Sequence, residues 1–215
     1  MTAGSGQPHE FETTASRTVY EGAILALRLD QVVMPDGRTA EREVVEHDGA
    51  VAIVAVDEDD RIVLVYQYRH PVGRRLWEIP AGLLDIPGED PLAAAQRELV
   101  EEAGLTAASW SVLIDVAVSP GFTDESIRVY LAEGLTEVER PTPEHEEADL
   151  QVERFPVADA VEMVLAGEIV NATAVASISA LAAARSLGRG PGDLRPTDAA
   201  WTDRPERFEA RRRAR

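Results

Sequence analysis

The sequence contains no cysteine. Disulfide bonds and thiolate metal sites are therefore excluded, and nothing in the composition points to an oxidising compartment. No apolar run approaches the roughly 18 residues that a membrane-spanning helix requires, and the first 16 residues lack the basic and apolar regions of a signal peptide. We therefore expect a protein of the cytoplasm that has no role at a membrane.

Lysine is absent as well. All 21 basic residues are arginine, and with 39 acidic residues the formal net charge is -18. This charge repels nucleic acid and anionic membranes at long range, and the short basic run at residues 211–213 does not change that expectation. A pyrophosphate would be repelled too, so an enzyme acting on one would need metal ions and local arginines.

The pattern along the chain predicts four regions. Residues 1–16 are polar and are predicted to be disordered, and residues 188–215, which contain a Gly/Pro stretch, are predicted to form a tail. Alternating apolar residues around a Pro-Asp-Gly turn predict an antiparallel strand appendage over residues 17–48. The remaining region, 49–187, reads as one domain of mixed strands and helices.

Within that domain the periodicity predicts several elements. They are a hairpin of residues 51–56 and 61–68, strands at 110–118, 127–132 and 150–155, and helices at 157–166 and 172–187. Between the strands at 127–132 and 150–155, residues 133–149 form a polar segment rich in proline and acids. A loop of that length inside a domain is usually either functional or disordered, so it needs an assignment.

A glutamate cluster lies between two glycine-bounded turns, in residues 82–105. Asp90 is suited to cap a helix, Pro91 to occupy its first position and Gly104 to end it. At 3.6 residues per turn, Glu98, Glu101 and Glu102 share one face of that helix. A neighbouring apolar stripe can dock the helix on a core; it consists of Leu92, Ala95, Leu99 and Ala103.

Like charges within one helical turn destabilise the helix, and a divalent cation would remove that penalty. Magnesium prefers oxygen ligands and usually takes one or two carboxylates, with substrate phosphates and water completing its shell. The cluster therefore indicates a site that holds a metal ion against a phosphate. The alternative is a solvated acidic face, which is what most charge runs are.

The segment resembles the Nudix box, GX5EX7REUXEEXGU, in which U is an aliphatic residue. The resemblance departs from the pattern at one point: six residues, 83–88, separate the first glycine from the first glutamate, where the pattern has five. All spacings from Glu89 onward match the pattern, so the geometry of the helix is expected to be kept. The extra residue puts only the contacts of the loop in question. The matching residues are Gly82, Glu89, Arg97, Glu98, Leu99, Glu101, Glu102, Gly104 and Leu105.

This resemblance implies an α/β fold, a Nudix-type α/β/α sandwich with a mixed sheet, to which the N-terminal antiparallel strands are appended. Short segments outside the box are similar to the ADP-ribose pyrophosphatase branch of the family. That branch implies a homodimer with shared active sites, in which the N-terminal strands cross to the partner. The segments are Arg42–His47, Gln67–Arg69, Trp77–Gly82, Ser119–Gly121 and Glu146–Leu150.

The resemblance also implies roles for individual residues. The carbonyl of Ala81 and the carboxylates of Glu98 and Glu102 would be inner ligands of Mg2+, or of Mn2+. Glu101 would be either an additional ligand or a residue that contacts the ligands from behind. Arg97 and Glu89 would form an ion pair that holds the box in shape. The candidate substrate-binding residues are Arg42, Arg69, Glu78 and Gly121, and for Glu78 a contact to the nucleoside and a partnership with an arginine are both open.

The reaction implied by the resemblance is hydrolysis of ADP-ribose to AMP and ribose 5-phosphate. The general base would lie outside the box, on the acidic segment 133–149, with Glu147 as candidate and Glu146 as reserve. Alternatives are hydrolysis of another nucleoside diphosphate sugar or of a dinucleoside polyphosphate. A sensor that binds ADP-ribose without catalysis, or a structural interaction domain, would leave the glutamate cluster without a purpose.

Overall fold

Strand pairing in the computed structural model, which describes residues 8–142 and 149–213, forms two separate sheets. Each sheet belongs to its own compact unit. The first unit contains the described residues up to Asp48, together with Ser119–Glu125 and those from Pro205 onward. The second contains the rest of the described chain.

The first unit is built on an antiparallel sheet of three strands in the order β1-β2-β3. The predicted turn at residues 35–37 joins β2 to β3, and Gly37 has a φ of 78° there. β1 begins at Thr13, so the end of the segment predicted to be disordered is a strand that pairs with β2. The bounds are β1 Thr13–Glu21, β2 Leu25–Val33 and β3 Thr39–His47.

The second unit is built on a mixed sheet of seven strands, in which β4 and β9 are parallel and the other pairs are antiparallel. The main path runs β10-β5-β4-β9-β8, with β6 on β5 and β7 on β4. The bounds are β4 Ala50–Val56, β5 Arg61–Arg69, β6 Arg74–Glu78, β7 Ala81–Leu83, β8 Leu105–Ala117, β9 Ser126–Glu137 and β10 Gln151–Pro156.

The hairpin predicted from β4 and β5 is wrong for most of its length. The two strands pair through Val56 and Ile62 next to the turn, and then separate. Beyond that point β5 pairs with β6, and β4 pairs with β7. The chain between Glu78 and Ala81 thus enters the sheet where the two strands part, and Pro80 accepts a backbone hydrogen bond from Ile53 at 2.8 Å.

Helices cover both faces of the second sheet, which confirms the α/β fold and its sandwich layers. On β4, Val51 and Ile53 pack in one apolar cluster with Leu99 of α1. Val54 packs in the opposite cluster with Ile178 of α3. This alternation is what period-2 side chains give in a strand buried on both faces. The bounds are α1 Pro91–Ala103, α2 Val157–Leu165 and α3 Ala172–Ser186.

α1 begins and ends where the sequence predicts. Asp90 Oδ1 accepts hydrogen bonds from the N–H groups of Leu92 at 2.9 Å and Ala93 at 3.2 Å. Gly104 ends the helix with φ 64° and ψ 36°, a left-handed conformation that favours glycine.

In the part of the chain that the structure describes, no helix has both the length and the apolar character that a membrane span requires.

Two segments predicted as irregular contain regular structure. β9 continues to Glu137, because its polar end pairs with the start of β8, Glu137 opposite Leu105. The predicted tail contains a short 3-10 helix, Pro191–Asp193, and a last helix, α4, Arg207–Arg213. Phe208 is the reason that α4 is not a free tail, because only 1% of its surface is exposed.

Candidate metal and phosphate site

The glutamate cluster on α1 lies mostly below the surface. Glu98 and Glu102 are 8% and 6% exposed, while Glu101 is half-buried. The apolar side of the same helix is buried through Ala95 and Leu99, as its periodicity predicts. The sheet therefore anchors α1, and the helix holds two carboxylates in an environment where charge is costly unless it is compensated.

Gly82 makes room for Glu98. A Cβ built on Gly82 would lie 2.0 Å from both Cδ and Oε1 of Glu98, a distance that atoms not bonded to each other do not reach. Gly82 lies in the middle of β7, opposite Val51 of β4. The first glycine of the box is therefore required by close packing: the Glu98 carboxyl occupies the space of the missing side chain.

Arg97 joins the carboxylates of the box. Its guanidinium makes a two-pronged ion pair with Glu89, with both N···O distances 3.0 Å. Its remaining Nη1 donates to Glu98 Oε1 at 2.7 Å and to Glu101 Oε2 at 2.9 Å. The hydrogen bond to Glu89 is the largest cause of a pKa of Arg97 far above its usual value, so this positive charge is permanent.

Ala81 precedes the extra residue of the box loop and is held in the sheet. The Ala81 N–H donates to Glu102 Oε2 at 3.0 Å, and β7 pairs Ala81 with Ala52. The added length lies in the turn before α1, where Glu89 N donates to Ile86 O at 3.1 Å and Gly88 has a φ of 80°. The six residues 83–88 thus lie mostly after β7, and the role of the Ala81 carbonyl as a ligand stays a prediction.

The donors near α1 suit a hard divalent cation. Glu98 and Glu102 supply carboxylate oxygens beside a backbone strand, and Gly82 leaves space there. In the described parts of the chain, no group of three or more acidic or histidine side chains could hold a metal ion by itself. The residues therefore fit an ion that takes one or two carboxylates and completes its shell with phosphate and water.

Glu78 has an arginine partner. Arg69 Nε donates to Glu78 Oε1 at 2.9 Å and Arg69 Nη2 to Oε2 at 2.7 Å. Gln67 adds a hydrogen bond to Oε2 at 3.2 Å, and Glu78 is 3% exposed. Of the two roles left open for Glu78, the structure shows the partnership, which orients the half-exposed guanidinium of Arg69.

Four candidate residues are not part of α1 or of the strands beside it. Arg42 is an exposed residue of β3 whose Nη1 donates to Glu41 O at 3.1 Å, and Gly121 has open space beside its Cα in the segment 119–125. Both belong to the first unit. Glu146 and Glu147 lie outside the described residues.

Arg140 is a residue of this region that the sequence did not indicate. Its Nε donates to the carbonyl oxygen of Glu101 at 2.5 Å, one of the last carbonyls of α1. The same segment approaches the helix end at Gly104, whose carbonyl accepts from Val138 N at 2.9 Å. An isolated arginine in an acidic segment has no sequence signal that distinguishes a helix cap from a surface residue.

The sequence is similar to known protein families and proteins. The sequence profile of the NUDIX domain matches residues 46–176, more than half of the chain. The chain belongs to the Nudix family. A second profile, that of the nucleoside diphosphate sugar hydrolase N-terminal domain, matches residues 11–45. Nudix hydrolases generally depend on divalent metal ions, in agreement with the donor set on α1.

Several relatives cover most of this Nudix protein, among them the following two. The ADP-ribose pyrophosphatase of Mycobacterium tuberculosis (strain ATCC 25618 / H37Rv) is 56% identical over 204 residues, 95% of this chain and 97% of that protein. The methanol dehydrogenase activator of Bacillus methanolicus is 36% identical over 176 residues, 82% and 95% of the two chains. A crystal structure of an ADP compounds hydrolase, at 21% identity, has the same fold with a TM-score of 0.72 and covers 86% of this chain and 100% of that chain.

Gly82→Ala tests the close packing at the site. We expect the added methyl group to displace the Glu98 carboxyl and to lower the free energy of unfolding by about 1–3 kcal/mol, the usual cost of overpacking. Divalent-metal affinity, measured by titration calorimetry, should fall as well. Gly192→Ala is the control, because a Cβ at that position meets nothing within 4 Å. Equal stability and metal affinity in the two variants would contradict the packing argument.

Proposed function

We propose that this Nudix protein hydrolyses the pyrophosphate of ADP-ribose to AMP and ribose 5-phosphate. Water attacks one phosphorus atom, and the P–O bond to the bridging oxygen breaks. The observation that carries the proposal is the box itself: Glu98 and Glu102, held against Gly82 and Ala81, in a chain that is 56% identical to an ADP-ribose pyrophosphatase.

Mg2+ is the proposed metal, and Mn2+ the alternative with the same preference for carboxylate and phosphate oxygens. Glu98, Glu102 and the Ala81 carbonyl would hold it, with Glu101 as a further ligand. When bound, such an ion would supply positive charge against the pyrophosphate and would make the attacking water more acidic. Arg97 keeps the carboxylates together without it, because its guanidinium already contacts Glu98 and Glu101.

Local arginines have to overcome the repulsion of an anionic substrate by a chain of net charge -18. We propose Arg69 for this role, since Glu78 fixes its guanidinium while leaving it half-exposed. Arg42 and Gly121 are proposed as further substrate contacts. For the general base we propose Glu147, with Glu146 in reserve, and neither is among the described residues.

Three other functions use the same fold. Another nucleoside diphosphate sugar or a dinucleoside polyphosphate would require the same metal chemistry, and the box does not distinguish their leaving groups. A sensor without catalysis would not require buried, metal-ready carboxylates. The relative named a methanol dehydrogenase activator shows that names in this family extend beyond ADP-ribose pyrophosphatase, but at 36% identity it is the more distant of the two relatives.

We also propose that the protein is a cytoplasmic homodimer with shared active sites. All nine residues of β1 are exposed in the single chain, including Val19 at 49% and Tyr20 at 59%. Val19 and Tyr20 are large apolar residues at the end of an edge strand, and a second copy that covered them would remove apolar surface from water.

The reaction is tested by incubating the protein with ADP-ribose and Mg2+ and measuring AMP. We expect Glu98→Gln and Glu102→Gln each to lower kcat by a factor of roughly 100 or more, because charge stabilisation in the transition state depends on both carboxylates. Glu162→Gln on α2 is the control, since this exposed side chain lies on the opposite helical layer. Wild-type inactivity across a panel of nucleoside diphosphate compounds would overturn the enzyme assignment.

The same assay distinguishes the two candidate bases. Glu147→Gln is expected to reduce kcat while metal affinity stays near normal, because a general base transfers a proton without holding the ion. Unchanged turnover in Glu147→Gln, together with a loss in Glu146→Gln, would move the role to Glu146.

The dimer is tested by light scattering of the purified protein. We expect twice the chain mass of 23.3 kDa. Replacing the exposed Tyr20 with a charged residue, Tyr20→Asp, should shift the equilibrium towards the single chain, because burying an unpaired charge at an interface is unfavourable. A wild-type mass of one chain would refute the dimer.

A further inference from the structure

The basic run Arg211–Arg213 belongs to α4 and has no part in the function proposed above. The burial of Phe208 shows that α4 is built into the first unit, because only 1% of its surface is exposed. Within the helix, the guanidinium of Arg212 lies over the Phe208 ring, 5.7 Å from the centroid. The run is therefore part of a packed element.

Arg211 and Arg212 neutralise two buried carboxylates at the end of β3. Arg211 contacts Glu46 twice, through Nε to Oε2 at 2.5 Å and through Nη2 to Oε1 at 3.2 Å. Arg212 Nη2 lies 2.9 Å from Asp48 Oδ1. Glu46 is fully buried and Asp48 is 3% exposed, so both carboxylates need positive partners to remain inside the protein.

Glu46 is ionised because of these partners. Burial by itself would raise the pKa of Glu46, but hydrogen bonds from Arg211 and Arg28 outweigh burial and hold the pKa below its usual value. Arg28 on β2 donates to Glu46 Oε1 at 2.7 Å. Glu46 thus links α4 to two neighbouring strands through charged hydrogen bonds, which are among the stronger kind.

Val45 and His47, which alternate with Glu46 and Asp48 along the chain, form hydrogen bonds with the segment 119–125. Val45 N donates to Phe122 O at 2.7 Å, and Asp124 N donates to Val45 O at 3.1 Å. His47 N donates to Asp124 Oδ1 at 3.0 Å. Residues 45 and 47 therefore support the segment, while residues 46 and 48 are supported by α4.

We propose that Arg211 and Arg212 are positioning residues for substrate binding. They fix the end of β3 and, through its hydrogen bonds, the segment 119–125 that contains Gly121. The link to substrate rests on the proposed function, which places Arg42 on β3 and Gly121 among the substrate contacts. The positioning of the segment itself follows from contacts within the first unit and does not depend on the substrate.

Hydrogen exchange of the full-length protein tests the positioning directly. In Arg211→Gln we expect faster amide exchange in residues 119–125 than in wild type, because the end of β3 loses its charged support. The matched control is Arg213→Gln, since Arg213 pairs with Glu209 one turn away on the same helix and is 57% exposed at its side chain. Equal exchange in the two variants would overturn the proposal.

Steady-state kinetics with ADP-ribose provide the second readout. We expect Arg211→Gln to raise KM about tenfold, because substrate binding must then order a loosened segment 119–125, while kcat changes by less than about twofold. A fall in kcat with unchanged KM would overturn the proposal. If wild type does not cleave ADP-ribose at all, the proposed function fails, and the exchange measurement still decides the positioning role.

Arg211→Gln leaves Glu46 with less compensation and can fail to fold for that reason. The double variant Glu46→Gln/Arg211→Gln removes the buried charge together with one of its two partners, and the other, Arg28, keeps Asp30, to which its Nε donates at 2.9 Å. It is therefore the variant to use in that case. We expect it to fold and still to show faster exchange in residues 119–125. Wild-type exchange in the double variant would overturn the proposal.

Discussion

The site on α1 depends on one guanidinium. Three carboxylates, those of Glu89, Glu98 and Glu101, converge on Arg97 within hydrogen-bonding distance. Without that charge, neighbouring glutamates on one helical turn would repel each other in a partly buried setting. With it, the glutamate carboxylates are held close together in the absence of a metal ion. Gly82 is the steric counterpart, because it leaves the space that the Glu98 carboxyl fills.

Local signals made α1 predictable, and non-local pairing made much of the sheet unpredictable. A capping aspartate, a proline at the first turn and a terminal glycine fix the bounds of the helix within the sequence itself, and the structure shows each of them in its role. β6 and β7 carry no comparable signal. They pair with β4 and β5 where those two strands separate, and no residue in either strand predicts that separation.

The same distinction applies to the candidate site. The Arg97–Glu89 pair was predictable because the box fixes its spacing, and the structure contains it. The hydrogen bond of Arg140 to the end of α1 spans 39 residues, and the pair of Arg211 with Glu46 spans 165. Arginines of this kind look like surface residues in the sequence, although the structure uses them to compensate acids and carbonyls in a strongly acidic chain. The number of arginines in the sequence therefore does not show how many of them have a structural role.

We propose that Glu98 and Glu102, which Gly82, Ala81 and Arg97 hold in place, bind the divalent metal. Anomalous diffraction from crystals of the wild-type protein soaked in Mn2+ and a non-hydrolysable ADP-ribose analogue tests it most directly. We expect a manganese peak within coordination distance of both carboxylates and of the substrate phosphates. A peak at full occupancy that lies away from Glu98 and Glu102 would contradict it.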